Sequence, residues 1–128
     1  MKPKTMRALS NYELNVLLPI LIKGLEMKKG KANAVTSHQI IRAIRKHGLK
    51  ISMRSVLMLI NHIRTNDLIV GLMATSTGYY ITSSEEEFIN YEDSLLGREK
   101  AIRNVRLSIM RQRRMMFSQR LPQQPQLF

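Results

Sequence analysis

The chain has 128 residues, and its 21 lysines and arginines against nine acidic residues give it a net charge of +12 at neutral pH. A chain of this length can bury one core without disulfides, and its charge favours a polyanionic partner such as a nucleic acid. The absence of cysteine excludes a disulfide framework and a cysteine nucleophile, and it is typical of a cytoplasmic protein. Because the longest apolar run is far below the roughly 20 residues of a membrane span, we expect a soluble protein with no membrane partner.

The first helix is predicted over residues 11–29. Ser10 and Glu13 have the spacing of a capping box, in which each side chain accepts a hydrogen bond from the backbone N–H of the other residue. Apolar residues then follow at intervals of three and four. Pro19 lies too deep for the first turn, so we expect it to kink or divide the helix. Gly30 is expected to end it.

A second and a third helix are predicted close together. Thr36 and Gln39 form another capping box, for a helix that runs to about Lys46. Gly48 then permits a tight turn, because glycine adopts positive φ without steric cost. The third helix is predicted over residues 52–66, with a serine as its N-cap.

The third helix has one apolar face, which we expect to be buried, and one face directed outwards. The apolar residues recur every three or four positions and are Val56, Leu59, Ile60 and Ile63. The predicted outward face consists of Met53, Arg54, Ser55, Met58, Asn61 and His62. An ordinary amphipathic core helix is the alternative interpretation of the same pattern.

A β-hairpin is predicted after the third helix. Residues 68–74 and 79–82 are rich in strand-forming residues, and residues 75–78 supply the turn between them. Residues 33–35 could add a short edge strand. Because an isolated hairpin is marginally stable, it should pack against the three helices. The expected fold class is mainly α with a small β-hairpin (α+β), in the element order of a winged helix.

The longest helix is predicted over residues 84–120, and the polar, proline-containing residues 121–128 are predicted to be a disordered tail. Apolar residues along this helix keep a spacing of three and four that is interrupted at Gly97-Arg98 and at Gln112. Four of them are predicted to lie beyond the domain and to join two chains in a homodimer, namely Ile102, Val105, Ile109 and Met116. Folding back on the first helix and contact of the arginines with nucleic acid are the alternatives.

Several motifs along the chain occur in an order that is informative. They are Val35-Thr36 before the second helix, Ser-Met-Arg-Ser-Val at 52–56, Ile-Asn-His-Ile-Arg at 60–64, Gly-Tyr-Tyr-Ile at 78–81, and the run from Ser84 to Leu95. Together they resemble the winged helix-turn-helix domains of the biotin-operon-repressor type, especially the small versions of bacteriophages and mobile elements. The resemblance covers residues 35–98, and the winged helix-turn-helix domain is expected at residues 10–83.

The resemblance implies a sequence-specific double-stranded DNA-binding protein that regulates transcription or replication without a cofactor. It carries over Arg54, Ser55, Asn61, His62 and Arg64 as groove or phosphate contacts. The position of the third helix adds Met53 to the base contacts. Further phosphate contacts are expected from basic residues of the second helix and its turn and from hydroxyl groups of the hairpin turn, namely Arg42, Arg45, Lys46, Lys50, Ser76 and Thr77.

Charge placement supports the same interpretation. Nine lysines and arginines and no acidic residue lie between Met27 and Asn66, which is typical of a surface that attracts phosphates. The three histidines do not share a metal-ligand spacing, and no phosphate-binding loop or nucleophile motif is present. We therefore expect neither a metal site nor an enzyme. The alternative function is an adaptor or inhibitor that binds another protein through Leu57, Met58 and the C-terminal helix.

Overall fold

A computed structural model describes residues 8–118 and 125–128 of the chain. The described residues are mainly helical and contain a two-stranded antiparallel sheet, which confirms the predicted α+β class. The chain divides into two compact units, Met1–Glu85 and Glu86–Phe128. Among the described residues, no helix has the length and apolar character needed to cross a membrane.

The first helical segment starts with the predicted capping box. The backbone N–H of Ser10 donates to Glu13 Oε1 at 2.9 Å, and the N–H of Glu13 donates to Ser10 Oγ at 3.1 Å. A π-helical turn, Glu13–Leu17, follows and leads into helix α1, Leu18–Glu26. Pro19 therefore lies in the first turn of α1, where its missing N–H costs least. The predicted division of the helix occurs as this change from π-helical to α-helical hydrogen bonding.

Helices α2, Ser37–Lys46, and α3, Met53–Thr65, match the predicted second and third helices. The capping box of α2 is confirmed, because Gln39 N–H donates to Thr36 Oγ1 at 3.2 Å and Thr36 N–H donates to Gln39 Oε1 at 2.8 Å. Ser52 caps α3 by accepting a hydrogen bond of 3.1 Å from the N–H of the third helical residue. Both helices therefore begin where local side-chain chemistry predicts.

Both helices also end in a similar way, with one residue in the left-handed conformation. Gly48 has φ of 80° after α2, and Asp67 has φ of 55° after α3. The residue that follows each of them donates its N–H back to the helix, to Ile44 O at 3.4 Å and to Ile63 O at 3.1 Å. This is the Schellman arrangement, which satisfies carbonyl groups in the last turn of a helix.

The core of the first unit lies where α1, α2, α3 and the start of the hairpin meet. Its buried members are Leu17, Leu21, Leu25, Ile40, Ile41, Ile44, Ile51, Val56, Leu59, Ile60, Ile63, Ile69 and Leu72. The predicted apolar face of α3 is confirmed, since all four of its residues belong to this cluster. Burial of each large apolar side chain contributes about 1.5–3 kcal/mol to the stability of the fold. The buried face of α3 therefore attaches this helix firmly to the core.

The hairpin consists of β1, Leu72–Thr75, and β2, Gly78–Ile81, joined by a two-residue turn. Strand β1 is shorter than predicted, because the chain is still turning at Asp67 and at Gly71, whose φ is 83°. The register pairs Leu72 with Ile81.

Backbone hydrogen bonds attach strand β2 to the segment between α1 and α2. Val35 N–H donates to Tyr79 O at 2.9 Å, and Tyr79 N–H donates to Val35 O at 2.7 Å. Ile81 in turn accepts from Gly30 N–H at 2.9 Å and donates to Lys28 O at 2.8 Å. The predicted edge strand at 33–35 is thus a single bridge at Val35, preceded by a 3-10 turn.

Helix α4, Glu85–Phe117, has 33 residues, and all of them except the first belong to the second unit. At 1.5 Å per residue it is about 50 Å long. No side chain of this helix is buried. The predicted helix end at Arg120 and the start of the predicted tail lie outside the described residues, and residues 125–128 are exposed without regular secondary structure.

We predict that Gly78→Ala destabilises the first unit by at least about 2 kcal/mol. Gly78 has φ of 121°, and a Cβ atom there would lie 2.6 Å from Val35 O. Gly24→Ala is the matched control, because Gly24 lies inside α1 and a Cβ atom added there would have no heavy atom within 4 Å. There the same substitution should stabilise the protein by about 0.5–1 kcal/mol. Thermal unfolding of both variants measures the difference, and equal effects of the two would contradict the close approach of Gly78 to Val35.

Candidate nucleic-acid interface

The solvent-exposed side of α3 is a narrow strip that runs along the whole helix. Its residues follow one another at intervals of three and four and are Arg54, Leu57, Asn61 and Thr65. Leu57 is 51% exposed and lies between Arg54 and Asn61 on this strip. The strip contains two of the predicted base contacts, Arg54 and Asn61. Its other two residues, Leu57 and Thr65, were not predicted as base contacts.

The predicted outward direction of the Ser55 side chain is wrong. Ser55 is only 8% exposed. Its N–H donates to Ser52 Oγ at 3.1 Å, and the Ser52 hydroxyl donates to Ser55 Oγ at 3.1 Å. As the third residue of α3, Ser55 is therefore part of the helix cap, and its side chain faces the interior.

The predicted outward direction of Met58 is also wrong, since this side chain is 6% exposed. Burial extends around α3 beyond its apolar face, so the exposed strip is narrower than the sequence pattern indicates. Met53 is half-buried and packs against the core cluster. His62 is half-buried, and its Nδ1 lies 3.3 Å from Asn66 Nδ2. Of the predicted base contacts, Arg54 and Asn61 are thus the exposed ones.

The turn between α2 and α3 is held by side chains from two other places in the fold. The hydroxyl of Tyr12 donates to Lys50 O at 2.7 Å. The guanidinium of Arg45 donates to Ile51 O through Nε at 3.2 Å and through Nη2 at 2.9 Å. These contacts fix the backbone immediately before the cap of α3, and so they position the exposed strip.

This geometry gives Arg45 a structural contact that the sequence did not indicate. Two of its donors are directed at the carbonyl of Ile51, while the side chain remains exposed and its phosphate contact stays a prediction. The other predicted phosphate contacts of this region, Arg42, Lys46 and Lys50, have exposed side chains. Arg42 and Lys46 are four residues apart and therefore share one face of α2. Arg64, near the end of α3, is half-buried.

The turn of the hairpin carries the remaining predicted phosphate contacts. Ser76 and Thr77 are both exposed. The hydroxyl of Thr77 lies 2.8 Å from that of Thr75, and Thr77 N–H donates to Thr75 Oγ1 at 3.3 Å. Hydrogen bonding within the turn thus orders it and engages the Thr77 hydroxyl, while no positive side chain lies between Thr75 and Gly78.

A groove of about 400 Å³ lies between the first turn of α2, the first turn of α3 and the hairpin. It brings Met53 and Ser76, which are distant in the sequence, to one surface. Three residues at the start of α2 also line it, namely Thr36, Ser37 and His38. The Ser37 hydroxyl lies 3.0 Å from the Tyr79 hydroxyl across the groove. Thr36, Ser37 and His38 lie at the start of a helix, where backbone N–H groups attract anions. The capping box indicates this helix start in the sequence, but these three residues were not predicted as contacts.

The predicted dimerisation residues lie in the second unit and are all exposed. The exposed fractions are 69% for Ile102, 62% for Val105, 57% for Ile109 and 67% for Met116. They lie on α4 at intervals of three, four and seven, so they share one side of that helix.

The described residues contain no cluster of three or more histidine, cysteine or acidic side chains that could hold a metal ion. Comparisons of the chain with protein-family models, with curated proteins and with solved structures found no match.

We predict that Arg45→Ala lowers the free energy of unfolding by about 1–2 kcal/mol, because two hydrogen bonds to Ile51 O are lost. Arg42→Ala removes the same charge from an exposed position of the same helix, and it should change stability by less than about 0.5 kcal/mol. Urea denaturation compares the two variants. If both were equally stable, the contact between Arg45 and the turn would have no structural role.

Proposed function

We propose that residues 10–83 form a winged helix-turn-helix domain that binds double-stranded DNA with sequence specificity. In this proposal the protein is a cytoplasmic regulator of transcription or replication in a phage or mobile element, and it needs no cofactor. The observation that carries the proposal is the exposed strip of α3, in which Arg54 and Asn61 flank Leu57, on a unit whose segment from Met27 to Asn66 has nine positive and no acidic residues.

The fold supports this proposal through its element order and connections. Three helices precede a hairpin, as in a winged helix, and strand β2 pairs with the residue that precedes the cap of α2. In this proposal α3 is the recognition helix and the hairpin is the wing.

The exposed strip has suitable chemistry for the major groove. From Arg54 to Thr65 it spans about 16 Å at 1.5 Å per residue, and the major groove of B-DNA admits an α-helix. Arginine makes bidentate hydrogen bonds to guanine, asparagine makes them to adenine, and an apolar side chain can contact the methyl group of thymine. Arg54, Asn61 and Leu57 respectively could fill these roles on neighbouring base pairs.

Phosphate contacts would come from the elements beside α3. Arg42 and Lys46 lie on one face of α2, and Lys50 lies in the turn that leads to α3. Such contacts add affinity without sequence preference. The start of α2 and the hydroxyl groups of the hairpin turn border the same groove and could contact the backbone on the other side.

A protein partner is the second candidate. The exposure of Leu57 favours it, whereas the burial of Met58 removes one of the two side chains on α3 that it would use. Titration with duplex DNA at physiological salt distinguishes the two functions. With a specific DNA-binding protein, the duplexes selected from a random pool should share a consensus sequence. An adaptor should bind DNA only weakly, and this binding should disappear as salt is added.

We predict that Arg54→Ala and Asn61→Ala each cost about 1–3 kcal/mol on the selected duplex and little on random DNA, as expected for lost base contacts. Lys46→Ala should weaken both complexes and lower the salt slope by about one. Fluorescence anisotropy over a range of salt concentrations measures both quantities.

Ser55→Ala is a control for these measurements, because the Ser55 side chain is buried beside the cap. It should alter stability more than the preference for one DNA sequence over another. If all four variants lost the same affinity on both DNAs, the assignment of base and phosphate contacts would be wrong.

A further inference from the structure

Residues that follow one another at intervals of three and four, all apolar except two, lie along one side of helix α4, and we term this side the α4 seam. The seam consists of Phe88, Tyr91, Leu95, Arg98, Ile102, Val105, Ile109, Gln112 and Met116. A 3.5-residue repeat of apolar side chains is the pattern of a two-stranded coiled coil. Because Ile102, Val105 and Ile109 are more than half exposed, the middle of the seam has apolar surface for a partner to cover.

The two polar residues of the seam have hydrogen bonds within their own helix. Arg98 Nη2 donates to Ser94 Oγ at 3.3 Å, and Gln112 Nε2 donates to Ser108 Oγ at 3.2 Å. In each case the acceptor is the serine four residues earlier. These bonds lessen the number of donors that a partner would have to satisfy, and the long stem of Arg98 can cover apolar surface while its charged end stays in water.

The charges of α4 are divided between its two halves. Residues 85–99 contain six acidic residues and one basic residue, whereas residues 100–117 contain six basic residues and no acidic one. The division is also present on one flank of the seam, where charged residues recur every seven positions. These residues are Glu92, Glu99, Arg106 and Arg113.

We propose that α4 pairs with α4 of a second copy of this chain as an antiparallel coiled coil. In an antiparallel pair each flank faces the same flank of the partner in reverse order. Glu92 then faces the partner's Arg113, and Glu99 faces the partner's Arg106. Two-fold symmetry repeats both ion pairs, and charged residues at these flanking positions set the orientation of coiled coils.

This register also places apolar side chains together in the seam. Ile102 packs against the partner's Val105 at the centre of the helix pair, and symmetry repeats this layer. Towards the ends, Leu95 lies beside the partner's Gln112, and Arg98 lies beside the partner's Ile109. The middle of the opposite flank, with Ser94, Ala101 and Ser108, is small and uncharged, so it allows close approach of the two helices there.

A parallel pair of the same helices is disfavoured by charge. When the two helices of a parallel pair are in register, Arg98 lies beside the partner's Arg98 and Glu87 lies beside the partner's Glu92, so like charges face each other. Its charged flank would face the small uncharged flank of the partner, so Glu99 and Arg106 would gain no opposite charge. The proposal concerns α4 alone and does not depend on DNA binding by the first unit.

A charge exchange on the full chain tests the proposal without DNA. Glu99→Arg and Arg106→Glu each place two pairs of like charges in the antiparallel dimer, so each should raise the dimer dissociation constant by roughly tenfold or more. The double variant, E99R with R106E, restores both opposite pairs and should return dimerisation to the level of the original chain. Sedimentation velocity at micromolar concentration and low salt measures the dissociation constants.

Arg114→Glu is the matched control, because it makes the same change of charge as Arg106→Glu at a position away from the seam. It should leave the dissociation constant within about twofold. A monomeric original chain at micromolar concentration, or a double variant no better than the single variants, would overturn the proposal.

Cysteine cross-linking tests the orientation directly, since the chain has no cysteine of its own. When Leu95→Cys and Gln112→Cys proteins are mixed and oxidised, the antiparallel register predicts a disulfide between the two variants, and neither variant should cross-link with itself. Self-cross-linking of each variant would show a parallel pair and overturn the proposal. The proposal would also be overturned if the mixture formed no cross-link while circular dichroism showed an unchanged helix content.

Discussion

The paired hydrogen bonds between the backbones of Val35 and Tyr79 connect the hairpin to the helices. They require a very close approach of the two segments, which is why Gly78, beside Tyr79, has no room for a Cβ atom. The bridge brings the hairpin next to the start of α2, and with α3 these elements form the groove beside the exposed strip. The position of the hairpin turn relative to the start of α2 therefore depends on this bridge.

The direction in which α3 presents its side chains has a second determinant, the turn that precedes it. Two successive carbonyl groups of that turn are engaged, Lys50 O by the Tyr12 hydroxyl and Ile51 O by the Arg45 guanidinium. Because the cap at Ser52 follows directly, the start of α3 is tied both to α2 and to the segment before α1. A binding surface built on a helix held at its start and along its buried side is preorganised, which reduces the ordering cost of binding.

Helix α4 differs from the first unit in how its apolar side chains are placed. The core of that unit depends on side chains from α1, α2, α3 and the hairpin, whereas the described side chains of α4 include exposed apolar residues that recur with a coiled-coil period. Apolar surface of this kind is favourable to cover. In the proposed pairing, the uneven distribution of charge along the helix favours one orientation of the two helices, because ion pairs at exposed positions contribute more to specificity than to affinity.

Much of the first unit could be predicted from local chemistry, whereas the rest depends on segments that meet only in the folded protein. The capping boxes, the serine cap of α3 and the turn at Gly48 involve residues only a few positions apart, so the residue types alone indicate them. The apolar face of α3 and the exposure of Arg54 and Asn61 follow from the helical period. Ser55 and Met58 are buried because α3 is covered over more of its circumference than its apolar face. No local pattern indicated that Arg45 binds a carbonyl of the turn. The residue types at 33–35 indicated a short edge strand, but not that its pairing with β2 forms the groove. Period and capping are local properties and can be read from residue order, whereas burial and hydrogen-bond partners are set by packing between distant segments.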